Sequence, residues 1–295
     1  MIQLSSAILM EVSKMSGEII DGKAMAQKIR AKIKEEISGF DEKPGLAVVL
    51  VGEDQASQVY VKNKEKDCLE IGFYSEVHRL PETTKEQDLL KLIMDLNDKK
   101  EIHGIIVQLP VPKHINTESV INAIHPLKDV DGFTYNSAGR LFTGNKGLVT
   151  CTPAGCIKML KSTGVELKGK EAVIVGRSNI VGKPMAILLM NEHCTITVCH
   201  SRTKDLPSVT ARADVLVAAI GRAKMIKKEW VKDGAIVIDV GMNRDENNKL
   251  CGDVDFEDVK DKVSYITPVP GGVGPMTRAM LMQNTLEAYH LLNGK

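Results

Sequence analysis

Apolar and polar positions along this chain alternate between a period near four and short unbroken apolar runs. From Gly22 onward Met25, Ile29, Ile33 and Ile37 recur at fourfold spacing with Lys and Glu between them, which predicts an amphipathic helix, and Pro44 follows as a breaker. Leu46 to Val51 is then uninterruptedly apolar up to Gly52, as expected of a strand covered on both faces in a parallel sheet. A helix from about Gln55 to Glu70, a strand near Ser75 to Leu80, a helix near Lys85 to Leu96 and a strand from His103 to Leu109 repeat the alternation, and Pro110 and Pro112 close it. This is βαβ construction. A helix near Glu118 to Ile124 leads into a polar passage, Asp129 to Gly147, with no strong periodicity, where a domain boundary is expected.

The rhythm restarts with a helix near Ala154 to Thr163 and a strand at Glu171 to Val175. Further strands are predicted at Thr195 to Cys199, Val215 to Ile220, Ile236 to Val240 and Val263 to Ile266. Five strands separated by helices predict a Rossmann-like unit. A Gly/Pro-dense loop, Pro270 to Pro275, precedes a last helix from about Thr277 to Leu292, expected to return to the first domain. The fold class is therefore α/β with two domains: an N-terminal α/β domain of residues 1–149 with 271–295, and a Rossmann-like dinucleotide-binding domain of residues 150–270. The first 17 residues carry little pattern and read as a lead-in or a short helix.

At 295 residues the chain exceeds what one core usually fills. With 43% hydrophobic and 26% charged residues it has the composition of a soluble globular protein. Its 39 basic residues are balanced by 38 acidic ones, so no nucleic acid partner is expected. The six cysteines form no C-x-x-C pair and the seven histidines no Cys/His cluster, which argues against a zinc site and a disulfide framework. No apolar run approaches the ~18 residues of a membrane span, and the N-terminus has no basic segment ahead of a long apolar one. A reducing cytoplasm is the expected compartment.

The segment Val175 to Pro184, between a strand and a helix, can hold a phosphate: its glycines admit an anion close to the backbone, and the helix N-terminus adds N–H groups and a positive dipole end. A plain βα turn is the alternative. It is not a P-loop, because five residues separate Gly176 from Gly182 and Pro184 stands where a Mg²⁺-binding hydroxyl is needed. After the next strand no Asp or Glu is present to accept from a ribose 2′-OH; Ser201 and Arg202, with Arg177, suit a 2′-phosphate and favour NADP over NAD. In the first half, Ser57, Tyr60 and Lys64 share one face of a predicted helix. Such a face is either a solvated surface or a site in which Tyr60 stacks on a flat ring and Lys64 handles protons. Gln108 ends a buried strand, at the sheet edge where α/β folds bind ligands, and Asp131 follows in a polar loop. His103 and His200 have no partnered arrangement and read as surface or packing residues.

Taken together, Tyr60-Val61-x-x-Lys64, Val107-Gln108-Leu109-Pro110, Asp129-Val130-Asp131-Gly132-Phe133, Thr152-Pro153, Gly176-Arg177-Ser178 with Val181-Gly182-x-Pro184, and PGGVGPMT from Pro270 to Thr277 resemble the bifunctional methylenetetrahydrofolate dehydrogenase/methenyltetrahydrofolate cyclohydrolase family. The resemblance runs from about Glu18 to the end of the chain. It implies that Lys64 is the catalytic lysine, that Tyr60 stacks near the pterin, that Gln108 tunes Lys64 and that Asp131 anchors the pterin head group. Ser57, Leu109, Pro270, Gly271 and Gly272 complete the folate site. Gly176, Arg177, Ser178, Val181, Ser201, Arg202, Ile220, Gly221 and Thr277 line the NADP site, with the loop from Gly271 to Thr277 closing the cleft. It further implies tetrahydrofolate derivatives as substrates, a place in one-carbon metabolism and purine biosynthesis, and a homodimer.

The chemistry agrees with these residue types. Hydride loss from the methylene carbon is driven by the lone pairs of its two flanking nitrogens, so the oxidation needs positioning more than acid–base help. Hydrolysis of the methenyl product does need a proton-handling group, and Lys64 is the one in this cluster that can serve. A monofunctional enzyme of the same fold and a non-catalytic binder are the rival readings; intact Lys64 and Gln108 and the intact turn at Gly176 argue against both. A formate–tetrahydrofolate ligase activity is disfavoured by the missing P-loop.

Overall fold

A computed structural model describes residues 16–294, so the expected lead-in lies outside the described residues except for Ser16 and Gly17. The described chain opens on β1 (Glu18–Ile19) and α1 (Gly22–Glu36), which Asp21 caps by accepting from the Ala24 N–H at 2.9 Å. The first domain continues through β2 (Gly45–Val51), α2 (Gln55–Ile71), β3 (Tyr74–Leu80), α3 (Glu86–Asp98), β4 (Gly104–Val107), α4 (Thr117–Asn122) and α5 (Tyr135–Phe142). Its sheet has the order β3-β2-β4, all parallel. The unbroken apolar run of β2 has two covered faces to serve. Leu46, Val48 and Leu50 pack with Val61 and Cys68 of α2, while Ala47, Val49 and Val51 pack with Leu89, Ile93 and Leu96 of α3.

The second domain comprises α6 (Cys151–Ser162), β5 (Glu171–Val175), α7 (Gly182–Asn191), β6 (Thr195–Cys199), α8 (Leu206–Thr210), β7 (Val215–Ala218), β8 (Ile236–Asp239), β9 (Asn243–Arg244), β10 (Leu250–Cys251), α9 (Phe256–Val259) and β11 (Tyr265–Ile266). Its sheet is six-stranded rather than five-stranded, in the order β1-β11-β8-β7-β5-β6. The extra strand is β1, whose Glu18 and Ile19 pair in parallel with Tyr265 and Ile266. A two-residue strand has no periodicity to read, which is why the sequence shows five.

The last helix, α10 (Val273–Leu292), returns to the first domain as expected and also braces the second. Met276 and Ala279 pack with Met159 and Leu160 of α6 and Met185 of α7, whereas Met280, Met282 and Leu286 join the core under β2. Both α6 and α10 begin earlier than predicted, at Cys151 and Val273 instead of Ala154 and Thr277. Pro153 and Pro275 sit in the first turns, where a missing N–H costs nothing, so proline is no barrier there. The polar passage from Asp129 to Gly147 also holds the unforeseen α5. Its apolar residues Tyr135, Ala138 and Phe142 fall on one face but stay exposed, and at eight residues the pattern is too short to stand out in a polar passage. Two histidines are partnered after all: buried His103 accepts from the Gly45 N–H through Nδ1 at 3.0 Å, and His200 Nδ1 accepts from the Arg202 N–H at 3.1 Å.

Candidate active site

The C-terminal ends of the parallel strands collect the candidate residues, as open α/β sheets require. Gln108 directly follows β4, and its backbone N–H donates to Val49 O at 2.8 Å, which holds it at the sheet edge. Its side-chain Nε2 donates to Leu109 O at 2.8 Å, turning Oε1 toward Lys64, whose Nζ donates to it at 3.0 Å. A neutral amide thus orients the half-buried Lys64 ammonium without tying it into an ion pair. The Leu109–Pro110 and Val269–Pro270 peptide bonds are both cis.

Asp131 is presented by a turn built on its neighbour. The buried Asp129 carboxylate accepts from the Gly132, Phe133 and Thr134 N–H groups at 3.0, 3.1 and 2.8 Å and from Ser137 Oγ at 2.6 Å. From α10, Asn284 Nδ2 donates to Val130 O and Val149 O, both at 2.8 Å, and the Cys151 thiol donates to Val130 O at 3.2 Å. Burial pushes the Asp131 carboxyl up from its ordinary range, while the nearby Lys64 charge pulls it down. Lys64 and Asp131 therefore share one electrostatic environment. Burial likewise pushes the Cys151 thiol well up, leaving a neutral wall rather than a nucleophile.

Tyr60, one helical turn before Lys64, reaches across to the second domain, where its hydroxyl donates to Met242 Sδ at 2.8 Å. Met242 Cε is in turn 3.3 Å from where a Cβ on Gly274 would stand. The segment from Pro270 to Thr277, whose last five residues open α10, is tethered by Lys23 N–H to Gly271 O (2.9 Å), by Gly272 N–H to Pro268 O (2.8 Å), and by the Thr152 and Thr277 hydroxyls, 2.9 Å apart. Ser57 behaves differently from its helix mates: it is 2% exposed, and its N–H and hydroxyl both engage Asp54, so it serves the start of α2.

In the second domain Gly176 ends β5 with φ +131°, and a Cβ there would overlap the Ala219 carbonyl. Its N–H donates to Cys199 O at 2.9 Å, which brings the turn carrying Arg177 and Ser178 beside the turn carrying Ser201 and Arg202. Ser178 Oγ accepts from Val181 and Gly182 N–H at 3.1 and 3.4 Å where α7 begins. Arg177, Ser178, Ser201 and Arg202 are exposed, so a glycine cradle, a helix N-terminus and two guanidinium groups border one surface. That donor set fits a dinucleotide with an additional phosphate. Ile220 and Gly221 follow β7 alongside, Gly221 with φ +67° and open space above its Cα.

The chain thus assembles Lys64 with Gln108 beside Asp131, and in the other domain a glycine turn at a helix N-terminus, joined across the cleft by Tyr60 and Met242. Sequence reasoning missed Met242, Asn284 and Cys151. Each is an apolar or neutral residue whose part depends on which distant segment it meets. Asp129 stood inside a quoted motif, but its capping work is invisible without the turn.

Comparisons with known proteins identify the family. The family model described as tetrahydrofolate dehydrogenase/cyclohydrolase, catalytic domain, matches residues 20–131, and the NAD(P)-binding domain of the same family matches residues 150–293. The bifunctional protein FolD of Listeria innocua is 60% identical over 275 residues, covering 92% of this chain and 97% of that protein. Among solved structures, the bifunctional FolD dehydrogenase/cyclohydrolase of Campylobacter jejuni superposes with a TM-score of 0.91 at 48% identity, over 92% of this chain and 98% of that one. The Trypanosoma brucei dehydrogenase-cyclohydrolase, solved with NADP cofactor and inhibitor, gives 0.89 at 36% identity, over 93% and 98%.

Proposed function

The chain belongs to the tetrahydrofolate dehydrogenase/cyclohydrolase family, whose two activities it carries, and from that premise we propose how its residues divide the work. It oxidises 5,10-methylenetetrahydrofolate with NADP and hydrolyses the methenyl product to 10-formyltetrahydrofolate, in one-carbon metabolism. The observation that carries the reading is the Lys64–Gln108 hydrogen bond of 3.0 Å beside Asp131.

Asp131 anchors the pterin through its amino and ring N–H groups, and Tyr60 stacks on the ring. When bound, the oxidised nicotinamide supplies a hydride acceptor. The protein's share of that step is alignment, because the substrate nitrogens drive it. Gly176 and the N-terminus of α7 hold the pyrophosphate, and Arg177, Ser201 and Arg202 hold the 2′-phosphate that makes NADP the preferred partner. In hydrolysis, water adds to the methenyl carbon and the bond from that carbon to N5 breaks. Of the two water protons, one ends on N5 and the other in solvent. Lys64 Nζ, steered by Gln108, carries the transfer. Leu109, Pro270, Gly271 and Gly272 shape the folate end, and Thr277 ties the first turn of α10 to α6.

The protein acts in the cytoplasm, where its six unpaired, buried cysteines stay reduced, and its product serves purine biosynthesis. No helix among the described residues is long and apolar enough to cross a membrane. It works as a homodimer. Exposed Phe142 on α5, Met190 on α7 and Val198 on β6 lie on neighbouring elements, with α7 touching both α5 and β6, and β6 is a sheet edge.

The test is an absorbance assay on 5,10-methylenetetrahydrofolate with NADP or NAD, for wild type and Lys64→Met. Reduction of NADP by wild type, with methenyl hydrolysis lost in the variant, supports the assignment. If wild type reduces neither nucleotide, the dehydrogenase reading fails.

A further inference from the structure

Behind the ligand edge of the second domain lie two buried carboxylates that take no part in the reaction described above: Asp239, 3% exposed, and Asp253, fully buried. Asp253 Oδ2 accepts from Ile220 N–H at 2.6 Å and Gly221 N–H at 3.1 Å; its Oδ1 accepts from Arg222 N–H at 2.8 Å and Asn243 Nδ2 at 2.9 Å. Three successive backbone N–H groups converging on one point form a concavity that ordinarily binds an anion. Here the chain supplies the anion itself. Asp239 holds Asp253 in place: its Oδ1 accepts from the Asp253 and Gly241 N–H groups and its Oδ2 from Val254 N–H, all at 2.9 Å. The two segments, Asp239 to Asn243 and Gly252 to Asp255, interlock tightly enough that a Cβ on Gly252 would overlap the Asp239 carboxylate.

This arrangement has two consequences for the cleft. The N–H groups of Ile220, Gly221 and Arg222 are already taken, so this loop presents shape rather than donors, and phosphate binding falls to the turn at Gly176. The same carboxylate also fixes both cleft loops. Through Ile220 to Arg222 it sets the loop whose Ala219 carbonyl abuts Gly176; through Asn243 it sets the residue next to Met242, which meets Tyr60. We propose that Asp253 is the positioning residue of the dinucleotide site, holding the loops after β7 and β8 in register without touching the ligand. The inference rests on the reading above that this cleft takes NADP.

An Asp253→Asn side chain keeps the shape but removes the charge and turns an NH2 toward the backbone N–H of Arg222, breaking that hydrogen bond and forcing Asn243 to flip its amide to keep its own. Asn243→Ala removes one. The full-length protein and both variants are titrated with NADPH by fluorescence and assayed for dehydrogenase kcat and KM. Methenyl hydrolysis without nucleotide reports on folding of the Lys64 site. Asp253→Asn is expected to raise the NADPH Kd and the KM for NADP at least tenfold, with kcat at saturating NADP changed less than threefold and hydrolysis retained. Asn243→Ala is expected to raise Kd two- to fivefold. A wild-type Kd in Asp253→Asn overturns the proposal. So does a wild-type Kd in Asn243→Ala should Asp253→Asn fail to fold. A wild type that binds no NADPH would instead sink the reading of the cleft itself, an outcome visible before any variant is made.

Discussion

Replacing Gly176 by alanine tests whether the turn after β5 is built for close approach. The residue sits at φ +131°, where an L side chain costs roughly 1–2 kcal/mol. Its Cβ would also stand 3.0 Å from the Ala219 carbonyl carbon and nearer still to the oxygen, so backbone meets backbone and neither can swing aside. Overpacking of this kind typically costs about 1–3 kcal/mol. Together these give a destabilisation of about 2–5 kcal/mol. The relief available is to push the Ala219 carbonyl outward, which carries Ile220 and Gly221 with it, so NADPH affinity should fall at least tenfold alongside the urea midpoint. Gly139→Ala is the matched control. That glycine lies in α5 with ordinary φ and nothing within 4 Å of its Cβ position, and alanine there should stabilise by about 0.5–1 kcal/mol. If Gly176→Ala keeps wild-type urea midpoint and NADPH affinity, or if both alanines shift stability in the same direction, the reasoning from backbone geometry is wrong.

Three further outcomes follow from the same structure. Gln108→Leu removes the side-chain acceptor bonded to Lys64 Nζ and should lower methenyl hydrolysis by about 10²-fold while sparing hydride transfer, as separate assays would read; equal losses in both would contradict the division of labour. Asn284→Leu leaves the part-buried Val149 carbonyl without this donor, costing about 1 kcal/mol. Because the same amide holds Val130 beside Asp131, the KM for the folate substrate should rise, and an unchanged melting point and KM would refute this. Burial, aided by the Lys128 charge, depresses His103 to about 4. The folded pKa lies below the unfolded value of about 6.5, so His103 contributes stability that is complete above that value and is lost as pH falls through about 4. Urea midpoints measured from pH 7.5 to 4 should drop more steeply for wild type than for His103→Asn, and a shallower wild-type slope would reverse the sign.

The chain's own pattern determined the α/β class, the two domains and most elements, because a run such as Leu46 to Val51 can be buried on both faces in few other ways. It also marked Lys64, Gln108, Asp131 and the turn at Gly176 as candidates, since each belongs to a local motif whose residue types suit the proposed chemistry. What it could not contain was anything set by residues far apart in sequence. Glu18–Ile19 becomes a strand because Tyr265–Ile266 is there to pair with it. Met242 reaches the cleft because Tyr60 faces it from another domain, and Asn284 matters because α10 passes behind Val130 and Val149. Asp253 looks like an ordinary acidic residue until three N–H groups from a loop more than thirty positions away converge on it. Periodicity and turn chemistry act over a few residues, whereas hydrogen bonds between loops exist once burial has removed the water that would otherwise satisfy them.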